Sequence, residues 1–126
     1  MTPIEQFMSE YFRDRTELIL AEIERRSPHR QKYFVADCRW DSRKGTVESS
    51  QSEQIVSVSE ADGETVVVTS DKKQGTIFFP LRYHLRPNGA SWLIHLVEFQ
   101  CPSCHGSGIG VHGGGACVIC GGKGWT

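Results

Sequence analysis

The sequence lacks any long apolar run. No segment approaches the roughly 18 to 20 apolar residues that a membrane-spanning helix needs. Met1 to Phe7 have neither the basic start nor the apolar stretch of a secretory signal. An excess of charge of one sign is also lacking, since 14 Lys and Arg stand against 15 Asp and Glu. These absences argue against a membrane protein and against a polyelectrolyte that coats nucleic acid, and they predict a cytoplasmic protein.

Glycine and cysteine are scarce in the first hundred residues and concentrated after them. Residues 101–126 hold nine of the 13 glycines and four of the five cysteines. Lys123 is the one charged residue of this segment and Trp125 its one aromatic residue. So little apolar surface cannot offset the conformational entropy of a glycine-rich chain. We therefore divide the chain into a domain at 1–100 and a tail at 101–126 that needs something other than a core to order it.

An amphipathic helix is predicted over residues 3–26. Thr2 and Glu5 have the spacing of a capping box, and Pro3 occupies the first helical position. Pro28 disfavours helical geometry in the residue before it, so the helix is expected to end at Arg26-Ser27. The apolar positions recur at steps of three and four residues: Ile4, Phe7, Met8, Tyr11, Phe12, Leu18, Ile19 and Ile23.

From residue 54 the apolar period changes to two, which predicts a four-stranded antiparallel meander. The strands are expected at 54–59, 64–69, 76–86 and 91–99, with turns at Asp62-Gly63, Lys73-Gln74-Gly75 and Pro87-Asn88-Gly89. In the third strand one face carries Ile77, Phe79, Leu81, Tyr83 and Leu85, and His84 lies on the other; in the fourth, Trp92, Ile94 and Leu96 alternate with Leu93, His95, Val97 and Phe99. Pro80 inside the third strand predicts a bulge or bend, and hence a curved sheet. The fold class is α+β, with the N-terminal helix packed on one face of the sheet.

Charge is segregated between the helix and the sheet. Residues 25–44 have seven Lys and Arg against two Asp, whereas residues 45–71 have six Asp and Glu and no base. We interpret both segments as solvated surfaces. The alternative is a basic patch that binds nucleic acid or an acidic partner. Residues 33–40 are more typical of an early strand or of core positions than of a base-stacking pattern.

A capped helix followed by a curved meander that closes on Gly89-Ala-Ser-Trp92-Leu-Ile94 resembles the nuclear-transport-factor-two-like superfamily. This half-cone fold is shared with ketosteroid isomerase and the SnoaL-type cyclases. The resemblance covers residues 1–100 and implies a cone-like sheet. It also implies a dimer, an accessory binding unit or an immunity protein that neutralises a toxin. The chain departs from the superfamily in having one clear N-terminal helix instead of two or three.

Two copies of Cys-x-x-Cys-x-Gly-x-Gly, at 101–108 and 117–124, dominate the tail. The two-residue gap lets both sulfur atoms of a pair reach one ion. The glycine that follows permits a tight turn that aims backbone N–H groups at the sulfurs. Two pairs supply four thiolates, a closed tetrahedral set for one structural Zn²⁺, which could order a tail that lacks a core. The predicted ligands are Cys101, Cys104, Cys117 and Cys120.

The repeated motif resembles the Cys-rich domain of DnaJ-type co-chaperones, in which four copies bind two zinc ions. Two copies imply a single zinc hairpin here. The resemblance does not imply a chaperone, because the His-Pro-Asp motif of the J-domain is absent and Pro28-His29 has the reverse order.

Other chemistries fit the cysteines less well. An iron–sulfur cluster on the same four thiolates is the main alternative. Cys101-Pro-Ser-Cys104-His105 matches the haem-attachment pattern, but that attachment normally needs export, and so does a disulfide framework. A redox pair would need a strand-helix setting that lowers the thiol pKa. His105 and His112 are spare candidate ligands, but as neighbours in a glycine loop they are interpreted as solvated, and Cys38 is interpreted as a small core residue.

An enzyme of the ketosteroid-isomerase type needs a carboxylate base facing an apolar pocket and a donor for the oxyanion. Asp37 and Asp41 are the candidate bases. The candidate donors are Tyr11, Tyr33, Tyr83 and His95. No two of these fall at a spacing that the chemistry demands, so the sequence favours a protein without catalytic activity.

The sequence therefore predicts a non-catalytic binding or interaction protein with one structural zinc, of an accessory or immunity type. We expect the protein to bind a protein partner or to self-associate, as in a homodimer. We do not expect it to bind nucleic acid or a membrane. One alternative is a small-ligand-binding protein or a ketosteroid-isomerase-like enzyme that uses a pocket carboxylate. A second is a nucleic-acid-binding zinc protein, which needs more positive charge than the tail offers.

Overall fold

The computed structural model describes residues 2–20, 26–38, 53–71, 80–101, 103–110 and 114–126. Two helices, α1 (Pro3–Leu20) and α2 (Arg26–Tyr33), precede four strands: β1 (Glu53–Ala61), β2 (Glu64–Asp71), β3 (Leu81–Asn88) and β4 (Ser91–Phe99). The predicted α+β class and the four-stranded meander are confirmed. No helix in these described ranges is long and apolar enough to cross a membrane.

Helix α1 begins with the predicted capping box. The backbone N–H of Glu5 donates to Thr2 Oγ1 at 3.3 Å, and the Thr2 hydroxyl donates to Glu5 Oε1 at 2.8 Å. These bonds satisfy donors at the helix start that have no partner within the helix. The structure describes α1 as far as Leu20, and the predicted stretch 21–25 lies outside the described residues.

Helix α2 corrects two expectations. Pro28 was expected to end the first helix, but it lies in the first turn of α2, where its missing N–H costs no hydrogen bond. Of the two interpretations of 33–40, the strand is wrong in its described part, because Tyr33 ends α2 and Phe34 makes a single parallel bridge with Ile94. The core interpretation is confirmed for Tyr33 and Phe34, which are both buried. Residues 39 and 40 lie outside the described residues.

The strands follow one another in the order β1-β2-β3-β4, and each neighbouring pair is antiparallel. Asp62 and Gly63 join β1 to β2 with φ angles of 53° and 77°, as a hairpin turn with two left-handed residues requires. The last turn is shorter than predicted. Pro87 pairs with Trp92 and Asn88 with Ser91, so Gly89 and Ala90 alone form the turn.

Two bulges interrupt the strands, and neither lies at Pro80, which directly precedes β3. Val56 is the extra residue of β1, and His95 is the extra residue of β4, between the pairs His84–Leu96 and Leu85–Ile94. The bulge at His95 reverses the predicted alternation along β4. Ile94 is fully buried, whereas Leu96 is 43% exposed and Val97 packs against the core. The predicted apolar positions 77–79 lie outside the described residues.

The core lies between the two helices and one face of the sheet. Tyr11 is central, because its ring makes edge contacts with Tyr33, Phe34 and Tyr83. Cys38 is buried in this core, as predicted. The sheet contributes Val67, Leu81, Tyr83, Leu85 and Ile94, and α1 contributes Phe7, Met8 and Tyr11. We call the opposite side of the sheet the outer face.

A charged pair lies inside this core. Arg15 Nη1 of α1 lies 2.7 Å from Glu53 Oε1 of β1, and the two side chains are 5% and 0% exposed. Glu53 also accepts hydrogen bonds from the hydroxyls of Tyr83 (2.7 Å) and Thr69 (2.5 Å). Glu53 is thus an exception to the interpretation of residues 45–71 as a solvated acidic surface. The pair fixes the first strand against the first helix.

We predict that Arg15→Met lowers the free energy of unfolding by about 3 to 5 kcal/mol, because it leaves the Glu53 carboxylate buried without a counter-charge. Urea denaturation at constant zinc measures the loss. Adding Glu53→Gln should recover much of it, since the amide oxygen still accepts from Thr69 and Tyr83. Arg13→Met is the matched control, because the Arg13 side chain is 64% exposed beside Asp14. An equal loss in both single variants would contradict the prediction.

Candidate metal centre

The four predicted ligands come together in one buried cluster. Cys101 Sγ lies 3.9 Å from Cys117 Sγ, and Cys104 Sγ lies 3.6 Å from Cys120 Sγ. A tetrahedron with Zn–S bonds of about 2.3 Å has edges of about 3.8 Å, whereas a disulfide bond is only about 2.05 Å long. All four sulfur atoms lie within 4.8 Å of one another. The cysteines are therefore unbridged and could hold one metal ion.

The two Cys-x-x-Cys-x-Gly-x-Gly copies fold in the same way. The φ angles of residues 105, 106 and 108 are 52°, 84° and 76°, and those of residues 121, 122 and 124 are 66°, 83° and 80°. In each loop a backbone N–H points at a sulfur: Gly108 N donates to Cys104 Sγ at 3.3 Å, and Gly124 N to Cys120 Sγ at 3.2 Å. The predicted role of the turn is therefore confirmed in both copies.

The two loops also form equivalent backbone hydrogen bonds to each other. Cys117 N donates to Gly108 O, and Cys101 N donates to Gly124 O, both at 2.8 Å. A Cβ atom on Gly108 would lie 2.3 Å from Gly122 O, and one on Gly124 would lie 2.4 Å from Gly106 O. Glycine is required at 108 and 124 both by the left-handed φ and by this close backbone approach.

The local environment favours the thiolate at Cys104 and Cys117, whereas at Cys101 the effect of nearby backbone N–H groups is outweighed by burial and the neighbouring thiols, which raise its pKa. Backbone N–H groups of Cys120 and Ile119 lower the pKa of Cys117 to about 6. Burial opposes ionisation of Cys104, but the N–H of Gly108 and the adjacent thiols outweigh it and lower its pKa. Since the thiolate is the form that binds metal, the loops prepare the cluster for a cation.

The cluster is tied to the end of the sheet. Phe99 and Thr126 exchange two backbone hydrogen bonds, of 3.1 and 2.9 Å, and Gln100 N donates to Pro80 O at 2.9 Å. The ring of Trp125 lies 4.7 Å from the guanidinium carbon of Arg82, a cation–π contact on the outer face. The tail thus extends the edge of the sheet.

Of the two spare histidines, His105 is exposed and lies outside the four-cysteine group, and His112 lies outside the described residues. The described members of the candidate catalytic set do not come together either. Asp37 is exposed, and Asp41 lies outside the described residues, so no described carboxylate among the candidate bases faces a pocket.

The candidate donors have other environments. The Tyr33 hydroxyl donates to Asp14, and the Tyr83 hydroxyl donates to Glu53. Tyr11 lies in the core, while His95 lies on the outer face beside Glu64. Burial raises the pKa of Tyr83 well above its ordinary value. The phenol therefore stays neutral and keeps the proton that it donates to the Glu53 carboxylate.

Two further groups were not predicted. A cleft of about 370 Å³ between α1 and α2 is lined in part by Asp14, His29 and Lys32, and burial lowers the pKa of His29 to about 4. The second group is Glu64, His84 and His95 on the outer face. The period of two placed His84 on that face, but the bulge that brings His95 beside it leaves no signal in the sequence.

Comparison of the chain with protein-family models, with curated proteins and with solved structures returned no significant match.

We predict one tightly held zinc per chain in protein purified without added metal, measured by elemental analysis. Removing it with a strong chelator should expose the four clustered thiols to a thiol reagent, while Cys38 stays protected in the core until the chain unfolds. Free thiols in metal-free protein before chelation would contradict this expectation.

We predict that Gly108→Ala weakens zinc binding by about 10- to 100-fold, because the new Cβ displaces the backbone that orients Cys104. Competition with a chromogenic chelator measures the affinity. Gly121→Ala is the matched control: its φ is 66°, nothing lies within 4 Å of its added Cβ, and His105 adopts the equivalent conformation in the other loop. Equal losses would mean that backbone strain, and not the contact between loops, is decisive.

Proposed function

We propose that this protein is a non-catalytic binding protein in which one structural zinc on Cys101, Cys104, Cys117 and Cys120 holds an interaction surface at the end of a helix-and-sheet domain. The observation that carries the proposal is the buried cluster of four sulfurs within 4.8 Å of one another, in which two Sγ–Sγ distances, 3.9 and 3.6 Å, are close to the edge of a single-ion tetrahedron. Four protein thiolates fill the coordination shell of zinc, whereas catalytic zinc keeps a position open. The same edge lengths favour one ion over an iron–sulfur cluster, whose several metal atoms would spread the sulfurs apart.

The interaction surface is the apolar tip of the second cysteine pair. Val118 is 92% exposed and Ile119 is 62% exposed, between two buried cysteines. Ile109, in the other loop, is 58% exposed. Adjacent exposed aliphatic residues on a metal-fixed loop are typical of a surface that another protein covers. Lys123 is the single charged residue of the tail, so the attraction to phosphates on which nucleic-acid binding depends is missing there.

We further propose that residues 1–100 form a nuclear-transport-factor-two-like domain of the accessory or immunity type, with a cone-like sheet. Four features support this. Helix α2 gives the chain a second N-terminal helix, which removes the departure noted from the sequence. Both helices contact β4, the sheet is entirely antiparallel, and the bulges in β1 and β4 are the device that bends such sheets.

The double variant Val118→Ser, Ile119→Ser tests the apolar tip. We expect the wild-type chain to associate, with itself or with a protein retained on an affinity column. The variant should weaken that association by at least about tenfold, as for loss of central apolar contacts, while zinc content stays unchanged. Analytical ultracentrifugation and quantitative pull-down provide the two readouts.

Val56→Ser is the matched control, since Val56 is an exposed valine on the edge strand β1, 59% accessible. A wild-type chain that stays monomeric at high concentration and retains no protein would overturn the proposal. So would an association that the tip variant leaves intact.

A further inference from the structure

A second group of metal-ligating side chains lies on the outer face of the sheet, apart from the cysteines. Glu64 begins β2, His84 lies in β3, and His95 is the bulged residue of β4. Because a bulge re-aims the side chain that it carries, His95 reaches across to Glu64. His84 Nδ1 lies 2.8 Å from Glu64 Oε1, and His95 Nε2 lies 2.6 Å from Glu64 Oε2.

These three residues form a compact, partly buried ligand set. One donor atom from each lies within 4.8 Å of the other two. The side chains of His84, His95 and Glu64 are 14%, 16% and 26% exposed. Two imidazoles and one carboxylate are a set that zinc and neighbouring first-row metals bind, with at least one coordination position left open.

A second layer supports this ligand set. His84 Nε2, the ring nitrogen that does not face Glu64, lies 2.5 Å from Glu98 Oε1. Glu98 is in turn held by the guanidinium of Arg82, through Nε and Nη2 at 2.9 Å each. A metal-binding histidine typically donates its other ring N–H to a carboxylate in this way. Glu98 therefore has the place of the supporting carboxylate.

The 2.8 Å between His84 Nδ1 and Glu64 Oε1 is compatible with either a proton or a metal ion between the two atoms. If His84 is neutral and donates its Nε2 proton to Glu98, its Nδ1 lone pair faces a carboxylate oxygen at 2.8 Å, and the two lone pairs repel. Either a second proton on the ring or a metal ion removes that repulsion. Among the described contacts of this group, the carboxylates of Glu64 and Glu98 face one guanidinium, that of Arg82.

We propose that Glu64, His84 and His95 bind one exchangeable divalent first-row transition ion of the zinc type, with Glu98 as the positioning carboxylate. The open coordination position is available to water or to a donor atom from a partner. The site shares no ligand with the cysteine cluster, so metal binding can be measured at each site separately.

The test is a titration of the full-length chain, already holding zinc on its cysteines, with Co²⁺ alone. We expect one further equivalent to bind with the weak absorption of nitrogen and oxygen ligands and without a thiolate charge-transfer band. His95→Gln and Glu64→Gln should weaken this binding by at least about tenfold. Glu98→Gln should weaken it by about 10- to 100-fold, as for other supporting carboxylates.

Glu60→Gln is the matched control, because Glu60 is an exposed glutamate on β1 outside the ligand set. It should leave the added equivalent unchanged, and every variant should retain its cysteine-bound zinc. Should a variant fail to fold, the ring signals of His84 and His95 in the wild-type NMR spectrum must still shift together on addition of Zn²⁺.

Two results would overturn the proposal. One is the absence of a further equivalent at millimolar Co²⁺, which would identify the group as a ladder of protonated histidines and carboxylates. The other is a further equivalent that survives His95→Gln. Neither result touches the cysteine site, whose failure would appear as missing zinc in the untreated protein.

Discussion

The meeting of four sulfur atoms within 4.8 Å is the constraint on which the last 26 residues depend. In the described part of this segment the cysteines are the only members of its buried hydrophobic cluster, and they could hold one metal ion where the rest of the chain is ordered by apolar burial. The same constraint reaches into the sheet. With the loops closed on each other, Thr126 returns to pair with Phe99, and Trp125 stacks on Arg82. The tail is thereby part of the sheet's edge.

The helix-and-sheet domain follows a different principle. Its centre is an aromatic cluster around Tyr11, and a buried charged pair, Arg15 with Glu53, lies beside it. Burial alone would lower the pKa of Arg15, but Tyr83 and Glu53 raise it, so the guanidinium stays charged inside the core. Such a pair adds little stability compared with apolar residues of the same size. Its effect is on specificity, since only one register of β1 brings the Glu53 carboxylate to Arg15, Thr69 and Tyr83 together.

What could be predicted from the sequence was set by local chemistry. The capping box, the hairpin at Asp62-Gly63, the burial of Leu81, Tyr83 and Leu85, and the four-cysteine cluster each depend on residues close in sequence. The features that the sequence did not predict depend on residues that are far apart in the chain. Pro28 is compatible with both a helix end and a helix start, and the neighbouring chain decides between them. The partners of Glu53 and the bulge at His95 depend on strand register, which a period of two does not encode. The outer-face ligands needed that bulge to meet.

The reciprocal contacts of the two glycine loops have an evolutionary consequence. Gly108 and Gly124 each abut the backbone of the opposite loop, so lengthening one loop would displace its partner as well. A change of length in one Cys-x-x-Cys-x-Gly-x-Gly loop therefore requires a matching change in the other loop. The connection between them is under no such restraint at Gly115, where an added side-chain atom would meet nothing within 4 Å. Among relatives, we expect length and composition to vary in this connection, while the length and the glycines of the two loops change little.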